Sequence, residues 1–257
     1  FFWFIWSKET EIKGAMIKMS KDLVDMLIEG SKEFSVLLNE RQIDKLIKYK
    51  DILKEWNQKI NLTAIEDDKE IIIKHFIDSL SIIPYLENKD IRFIDVGTGG
   101  GFPGIPVKIA YDKINVTLLD SLDKRIKFLN NVISEMDLKE IRACHGRAED
   151  FGMMEENREK YDVAAARAVA NLPVLLEYCL PFVKVGGTFI AMKGSSTEEV
   201  DSSKKALDVL GGKIEEIINL NLPFSEATRN IIIVKKIKTT PKKYPRKAGK
   251  PSKEPIL

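Results

Sequence analysis

Apolar residues recur at helical spacing from Lys21 to about Leu86, with Leu23, Met26 and Leu27 in one stretch and Ile43, Leu46, Ile47, Ile52, Leu53 and Trp56 in another. The pattern predicts a mostly helical region. Its last helix, Ser79 to Leu86, is broken near Pro84, and Asn88-Lys89-Asp90 supplies a turn. Beyond Asp90, short apolar runs alternate with helical segments, as repeated β-α units of a parallel sheet do. The predicted strands are Ile91 to Val96, Val116 to Asp120, Ile141 to His145, Tyr161 to Ala166 and Thr188 to Met192. Predicted helices lie near Ile105 to Ala110, Asp123 to Asp137, Asp150 to Glu159 and Leu172 to Phe182. A helix from Thr197 to Leu210 then leads into two further strands, Lys213 to Leu220 and Arg229 to Ile237. No crossover helix fits between these two, since Asn221-Leu222-Pro223-Phe224-Ser225 is a loop, so they pair as antiparallel neighbours. The expected fold is therefore α/β, a largely parallel sheet with one reversed strand near its edge. The expected divisions are an extension at 1–18, a small helical region at 19–88, the α/β domain at 89–238 and a tail at 239–257.

Composition adds three things to this picture. A hydrophobic fraction of 44% is ordinary for a globular chain and excludes disorder throughout. The two cysteines, Cys144 and Cys179, sit in apolar stretches without metal-ligand spacing. They are expected to be reduced core residues of a cytoplasmic protein with no metal. Charge is uneven: nine Lys or Arg fall between Lys235 and Lys253 with no acid before Glu254, while the remaining 32 basic and 38 acidic residues leave the body net negative. Such a tail suits a polyanion such as nucleic acid, or simply a solvated terminus. The opening run Phe1-Phe2-Trp3-Phe4-Ile5-Trp6 is too short to span a bilayer and lacks the parts of a secretory signal. The natural chain is expected to begin at Met16 or Met19.

The candidate chemistry collects at the ends of the predicted strands. Asp95-Val96-Gly97-Thr98-Gly99-Gly100-Gly101 follows the first strand, and Gly97, Gly99 and Gly101 let the backbone turn tightly beside a ligand. A nicotinamide dinucleotide uses a similar loop. Two features favour S-adenosylmethionine instead: the Asp95 carboxylate would face a cationic sulfonium and amino group but repel a pyrophosphate, and Phe102-Pro103 stands where a dinucleotide fingerprint continues toward a packing glycine. Asp120 ends the second strand, where an acid can accept both ribose hydroxyls of either cofactor; the alternative is a helix cap, a role open also to Ser121 and Asp123. Ala148 and Glu149, after the third strand, are candidates to hold an adenine, although Glu149 also suits the first turn of a helix. Arg167 emerges at the end of the fourth strand. His75 and Asp78 share one helix face and Asn57 and Asn61 another, so each pair is a candidate to line a cleft. His75 and Trp56 read more readily as structural residues.

In order along the chain, Trp56-Asn57 with Asn61-Leu62-Thr63-Ala64-Ile65, His75-Phe76-Ile77-Asp78-Ser79-Leu80, Asp95 through Pro106, Leu119-Asp120-Ser121-Leu122 with Lys124-Arg125, Arg147-Ala148-Glu149, Ala166-Arg167-Ala168-Val169-Ala170, and Lys243-Tyr244-Pro245-Arg246 with Gly249 and Pro251 resemble the ribosomal RNA small subunit methyltransferase G family, also called glucose-inhibited division protein B. The resemblance runs from about Leu23 to Leu257. It departs at Ala166, where the family often has Ser or Thr. The resemblance implies a class I, Rossmann-like methyltransferase fold and transfer of methyl to N7 of guanine 527 in 16S ribosomal RNA. It places S-adenosylmethionine against Gly97, Phe102, Asp120, Ser121, Leu122, Ala148, Glu149 and Arg167. Arg167 is the one candidate catalytic residue, facing either the cofactor or guanine O6, since N7 carries a lone pair and needs no general base. Candidate RNA contacts are Lys193, Lys243, Tyr244, Arg246 and Lys247. The partner implied is 16S ribosomal RNA or the small subunit, met by a monomer away from membranes. The competing readings are an NAD-dependent oxidoreductase and a non-catalytic RNA-binding assembly factor on the same scaffold.

Overall fold

The computed structural model describes residues 21–86, 90–167, 170–194 and 199–257. The expected extension with its start at Met16 or Met19, the Asn88-Lys89 part of the turn, Ala168-Val169 and the expected helix start at Thr197 lie outside the described residues.

The amphipathic N-terminal pattern folds as helix α1 (21–32) and α2 (Glu40–Ile60). A capping box starts α2: Asn39 Oδ1 accepts from the Gln42 N–H and Gln42 Oε1 from the Asn39 N–H. Next come α3 (Asp68–Ile71), a π-helical turn (Ile72–Ile77) and α4 (Asp78–Leu80), one after another without a break. Pro84 lies in a 3-10 turn, Ile83–Tyr85, which ends the helical region as expected.

The α/β part runs β1 (Ile91–Val96), α5 (Gly104–Ala110), β2 (Ile114–Asp120), α6 (Asp123–Glu135), β3 (Ile141–His145), α7 (Ala148–Phe151), β4 (Tyr161–Arg167), α8 (Leu172–Cys179), β5 (Val183–Lys193), α9 (Glu199–Ser202), α10 (Lys204–Leu210), β6 (Gly212–Asn221), β7 (Thr228–Lys236) and α11 (Lys250–Lys253). The seven strands lie in the order β3-β2-β1-β4-β5-β7-β6. β1 to β5 are mutually parallel, and β7 enters antiparallel between β5 and β6. The single reversed strand near one edge is thus present as the short β6–β7 loop requires.

Side chains alternate between two cores, because successive strand residues face opposite sides. Phe93, Val163, Ala165, Ile231 and Ile233 face the core under α1, α2, α5 and α6, whereas Ile94, Ala164, Ala166, Ile232 and Val234 face the core under α8 and α10. Covering both faces explains the near-continuous apolar runs of the central strands. The helical region therefore packs on one face of the sheet rather than standing apart. Trp56 is half-buried against Phe128, as expected of a structural residue. Both thiols are free: Cys179 is buried and Cys144 half-buried. Among the described residues no helix is long and apolar enough to cross a membrane.

Chain order reverses between β1 and β4, so the carboxyl ends of these strands border the crevice where open α/β sheets bind ligands. Asp95, Asp120, Ala148 and Arg167 all arrive at that edge.

Candidate active site

The glycine loop is seated on β2 and closed by Asp95. The Gly97 and Thr98 N–H groups donate to the Leu119 carbonyl at 2.8 and 3.1 Å. Asp95 Oδ2 accepts from Thr98 Oγ1 at 2.6 Å and from the Gly104 N–H at 2.8 Å. Its other oxygen, Oδ1, is buried without a protein partner. Burial pushes the Asp95 carboxyl up to about 6, against the lowering effect of those two hydrogen bonds. Gly99 and Gly101 adopt φ of +59° and +90° for different reasons. A Cβ on Gly101 would come within 2.5 Å of Ile105 and of the Tyr49 hydroxyl, whereas one on Gly99 would meet nothing within 4 Å. Gly101 is thus required by packing, and Gly99 leaves open space beside the loop.

Beside the loop, at the end of β2, Asp120 is buried and both of its carboxylate oxygens accept backbone hydrogen bonds. Oδ2 accepts from the Gly99 N–H at 2.9 Å, Oδ1 accepts from the Leu122 N–H at 3.0 Å, and Arg125 approaches to 3.2 Å. Helix α6 starts from Leu122 without a side-chain cap, so neither Ser121 nor Asp123 serves that role. A cleft of about 220 Å³ opens here, lined by Gly97, Asp120, Ser121 and Ala148 and also by Tyr178 of α8 and Ser252 of α11. Leu122 is 42% exposed beside it, an apolar side chain left at the surface. Glu149 is buried, and its Oε1 accepts from the Gly249 N–H at 2.8 Å.

Phe102 and Arg167 meet in a second cluster, built with the helical region. The Arg167 guanidinium lies 4.9 Å from the centre of the Phe102 ring, which itself stacks on His75 at 4.4 Å. Arg167 Nη1 donates to the Lys74 carbonyl and to Asp78 Oδ2, both at 3.0 Å, and Nη2 lies 3.2 Å from His75 Nδ1. Arg229 completes the set at 3.2 Å from Asp78 Oδ1. A guanidinium only donates, so His75 Nδ1 is an acceptor and the ring proton sits on Nε2, directed at Thr63 Oγ1 2.8 Å away. Burial, reinforced by the Arg167 and Arg229 charges, holds His75 down at about 3, and the ring is neutral. The π-helical turn carries His75. Asn57 borders a small cavity of about 80 Å³ with Leu53, Thr63 and Ile71, while its Oδ1 accepts from the Leu62 and Thr63 N–H groups; Asn61 is the left-handed cap of α2.

The basic C-terminus folds back onto the domain. Arg158 donates to the carbonyls of Thr240, Pro241 and Tyr244, and Glu159 accepts from the Thr240 N–H. Arg246 holds the buried Glu177 carboxylate through Nε at 2.9 Å and Nη2 at 2.7 Å, so this arginine faces inward rather than toward a polyanion. Lys193 is likewise drawn in, to Glu199 at 2.9 Å and the Ala170 carbonyl at 2.8 Å. Tyr244 is half-buried, with the Lys243 ammonium 5.3 Å from its ring centre. Lys243 and Lys247 remain exposed.

The sequence model of rRNA small subunit methyltransferase G matches residues 42–232. The chain belongs to this family. It is 66% identical over 231 residues to the ribosomal RNA small subunit methyltransferase G of Acetivibrio thermocellus, covering 90% of this chain and 96% of that one. With the protein of the same name from Alkaliphilus oremlandii it shares 58% identity over 91% of this chain and 99% of the relative. Its fold is similar to that of geranyl diphosphate C-methyltransferase from Streptomyces coelicolor, with a TM-score of 0.50 at 11% identity, covering 78% of this chain and 99% of that one. The fold is that of class I methyltransferases, and neither the nicotinamide-dependent nor the non-catalytic reading is favoured.

In this methyltransferase, two groups of sequence-identified residues converge. Gly97, Asp120, Ser121 and Ala148 share one cleft, and Phe102, Arg167, His75 and Asp78 share one cluster. Sequence reasoning missed Arg229, Tyr178 and Ser252. Arg229 lies in a strand pattern that gives no sign of an acid 151 residues away, and Tyr178 and Ser252 are brought together only by the folded C-terminus.

Proposed function

We propose that this member of the family transfers the methyl group of S-adenosylmethionine to N7 of guanine 527 in 16S ribosomal RNA, acting as a cytoplasmic monomer on the RNA or the small subunit that contains it. The observation that carries the reading is the arrangement around the glycine loop at the switch point of the sheet, in a chain of this family. The fit to the cofactor rests on the donor set. Asp95 offers a buried carboxylate oxygen without a protein partner, suited to a cationic ligand, and Gly99 leaves space where a side chain would intrude. Gly97, Asp120, Ser121, Leu122 and Ala148 would hold the nucleoside end in the cleft they border.

When bound, S-adenosylmethionine supplies a sulfonium methyl open to attack by the N7 lone pair. No proton leaves N7, so the chain needs no general base, in keeping with His75, whose two nitrogens are already committed to Arg167 and Thr63. What these residues contribute is alignment and exclusion of water. Arg167 is a positioning residue in this account: its donors reach Asp78, Lys74 and His75, and its face orients Phe102 at the end of the loop. The exposed Lys243 and Lys247 remain as phosphate contacts.

The test is transfer to a 16S transcript carrying 7-deazaguanine at position 527, which lacks N7 but keeps the rest of the base. Methylation of the normal transcript and none of the substituted one is expected. Equal methylation of both would overturn the N7 assignment.

A further inference from the structure

Residues 240–256 cross the molecule to the mouth of the cofactor cleft, and the body of the protein grips them with groups placed at successive points. Arg158 and Glu159 hold the start at Thr240, Pro241 and Tyr244. The buried Lys236 ammonium donates to the Leu180 carbonyl at 2.6 Å and to the Thr240 hydroxyl. Glu177, 1% exposed, accepts both the Arg246 side chain and its N–H. Glu149, 6% exposed, accepts from Gly249, and Ile256 buries itself in the core beneath α8. A charged group is rarely buried without a partner, so this segment is a built part of the fold. Between these anchors, the Tyr178 and Ser252 hydroxyls lie 2.8 Å apart, and both residues line the same cleft as Gly97, Asp120 and Ala148.

We infer that the C-terminal segment supplies one wall of the S-adenosylmethionine site, with the Ser252 and Tyr178 hydroxyls as binding groups for the cofactor. This rests on the reading of the cleft given above. Glu149 and Arg246 then act as positioning residues, holding Gly249 and the segment around it so that Ser252 stays at the wall. The acid at position 149 serves the cofactor through the chain it fastens. Hydroxyls suit this duty because each both donates and accepts, so either can exchange the mutual hydrogen bond for a polar atom of the ligand. The segment is two-sided: Lys242, Lys243, Lys247, Lys250 and Lys253 are exposed on its outside.

The experiment measures S-adenosylmethionine affinity by titration calorimetry on the full chain, for wild type and for Ser252→Ala, Tyr178→Phe, Arg246→Ala and Arg246→Lys, with melting temperature and 16S RNA affinity recorded for each. Each hydroxyl deletion should weaken cofactor binding about fivefold, the effect typical of one hydrogen bond, while leaving melting temperature and RNA affinity at wild-type values. Arg246→Ala should weaken cofactor binding about tenfold or more, with partial recovery in Arg246→Lys. Unchanged cofactor affinity in both hydroxyl variants, with wild type binding normally, would overturn the part assigned to this segment alone. Folded wild-type protein that fails to bind S-adenosylmethionine would overturn the reading of the cleft and this inference with it.

Discussion

Arg167, at the end of β4, reaches 3.0 Å from Asp78 in α4, and with this contact the parallel sheet is tied to the N-terminal helical region. Asp78 is 1% exposed and shared with Arg229, so two guanidiniums from the sheet converge on one buried carboxylate. The Phe102 ring lies in the same cluster, stacked on His75 and under Arg167. The tie therefore fixes both the packing of the helical region and the end of the glycine loop.

Replacing Arg167 with Ala tests that link. The change leaves Asp78 with one cation in place of two, and breaking a buried ion pair costs on the order of 3 kcal/mol. Methyl transfer should fall about 100-fold or more, since small displacements of reacting groups are magnified in rate. Arg167→Lys restores the charge but not the fork that reaches Lys74, Asp78 and His75, and should recover only part of the activity. Denaturant unfolding and transfer kinetics check this. Wild-type turnover and cofactor affinity in the Ala variant would rule out a positioning role for Arg167.

The pH dependence of stability should carry opposed contributions from His75 and Asp95. His75 falls from the ordinary 6.5 to about 3 on folding, so between these values the unfolded chain binds the extra proton. Its stabilising contribution is full above about pH 6.5 and is lost as pH drops toward 3, with a slope of at most about 1.4 kcal/mol per unit. Asp95 rises from 3.8 to about 6, so between those values the folded chain holds the extra proton and stability grows as pH falls. In His75→Gln, which keeps an acceptor and a donor, the decline in acid should flatten or reverse between about pH 6 and 4. Chemical denaturation across pH measures it; a variant profile that superimposes on wild type after a constant offset would contradict the assignment.

Two loop glycines should fail in different ways. Gly101→Ala forces a Cβ against Ile105 and Tyr49 at 2.5 Å and should lower the melting temperature strongly. Gly99→Ala meets no atom and should cost only about 1–2 kcal/mol of backbone strain, yet it places a methyl in the open space beside the cleft. Cofactor affinity should drop in Gly99→Ala by more than its stability change explains. Equal affinity to wild type would show that the cofactor does not approach this side of the loop.

Much of this was legible in the chain, and the reasons are local. β1 and β3 begin and end where the alternation of apolar residues predicts, at Ile91 and Val96 and at Ile141 and His145. β5 runs from Val183 to Lys193, longer than the predicted Thr188 to Met192, and takes in Gly187, where a Cβ would strike the Asp162 carbonyl at 2.6 Å. The predicted helix of Asp150 to Glu159 shortens to Ala148–Phe151, after which the chain turns to present Arg158 and Glu159 to the C-terminal segment. What periodicity could not show are pairings across long separations. Glu149 and Gly249 are 100 residues apart and Glu177 and Arg246 are 69 apart, and neither composition nor spacing distinguishes Arg246 from the exposed lysines around it. A run of basic residues reads as a free tail when one arginine in it finds a buried acid.

The exposed face of that segment gives a further expectation. Lys243→Glu and Lys247→Glu should weaken binding to 16S RNA and reduce the slope of log affinity against log salt by about 0.7–0.9 for each phosphate no longer neutralised. Cofactor affinity should be unaffected, because both side chains point to solvent. Filter binding over a salt series measures the slope; an unchanged slope would place these lysines outside the RNA interface.

The most direct measurement of the central claim is transfer of labelled methyl from S-adenosylmethionine to undermethylated 16S ribosomal RNA, with the modified base mapped along the whole molecule. A single 7-methylguanine is expected, at position 527. Methyl incorporation at another base or at another atom of that guanine, or folded protein that binds the cofactor yet transfers nothing to RNA or small subunits, would contradict it.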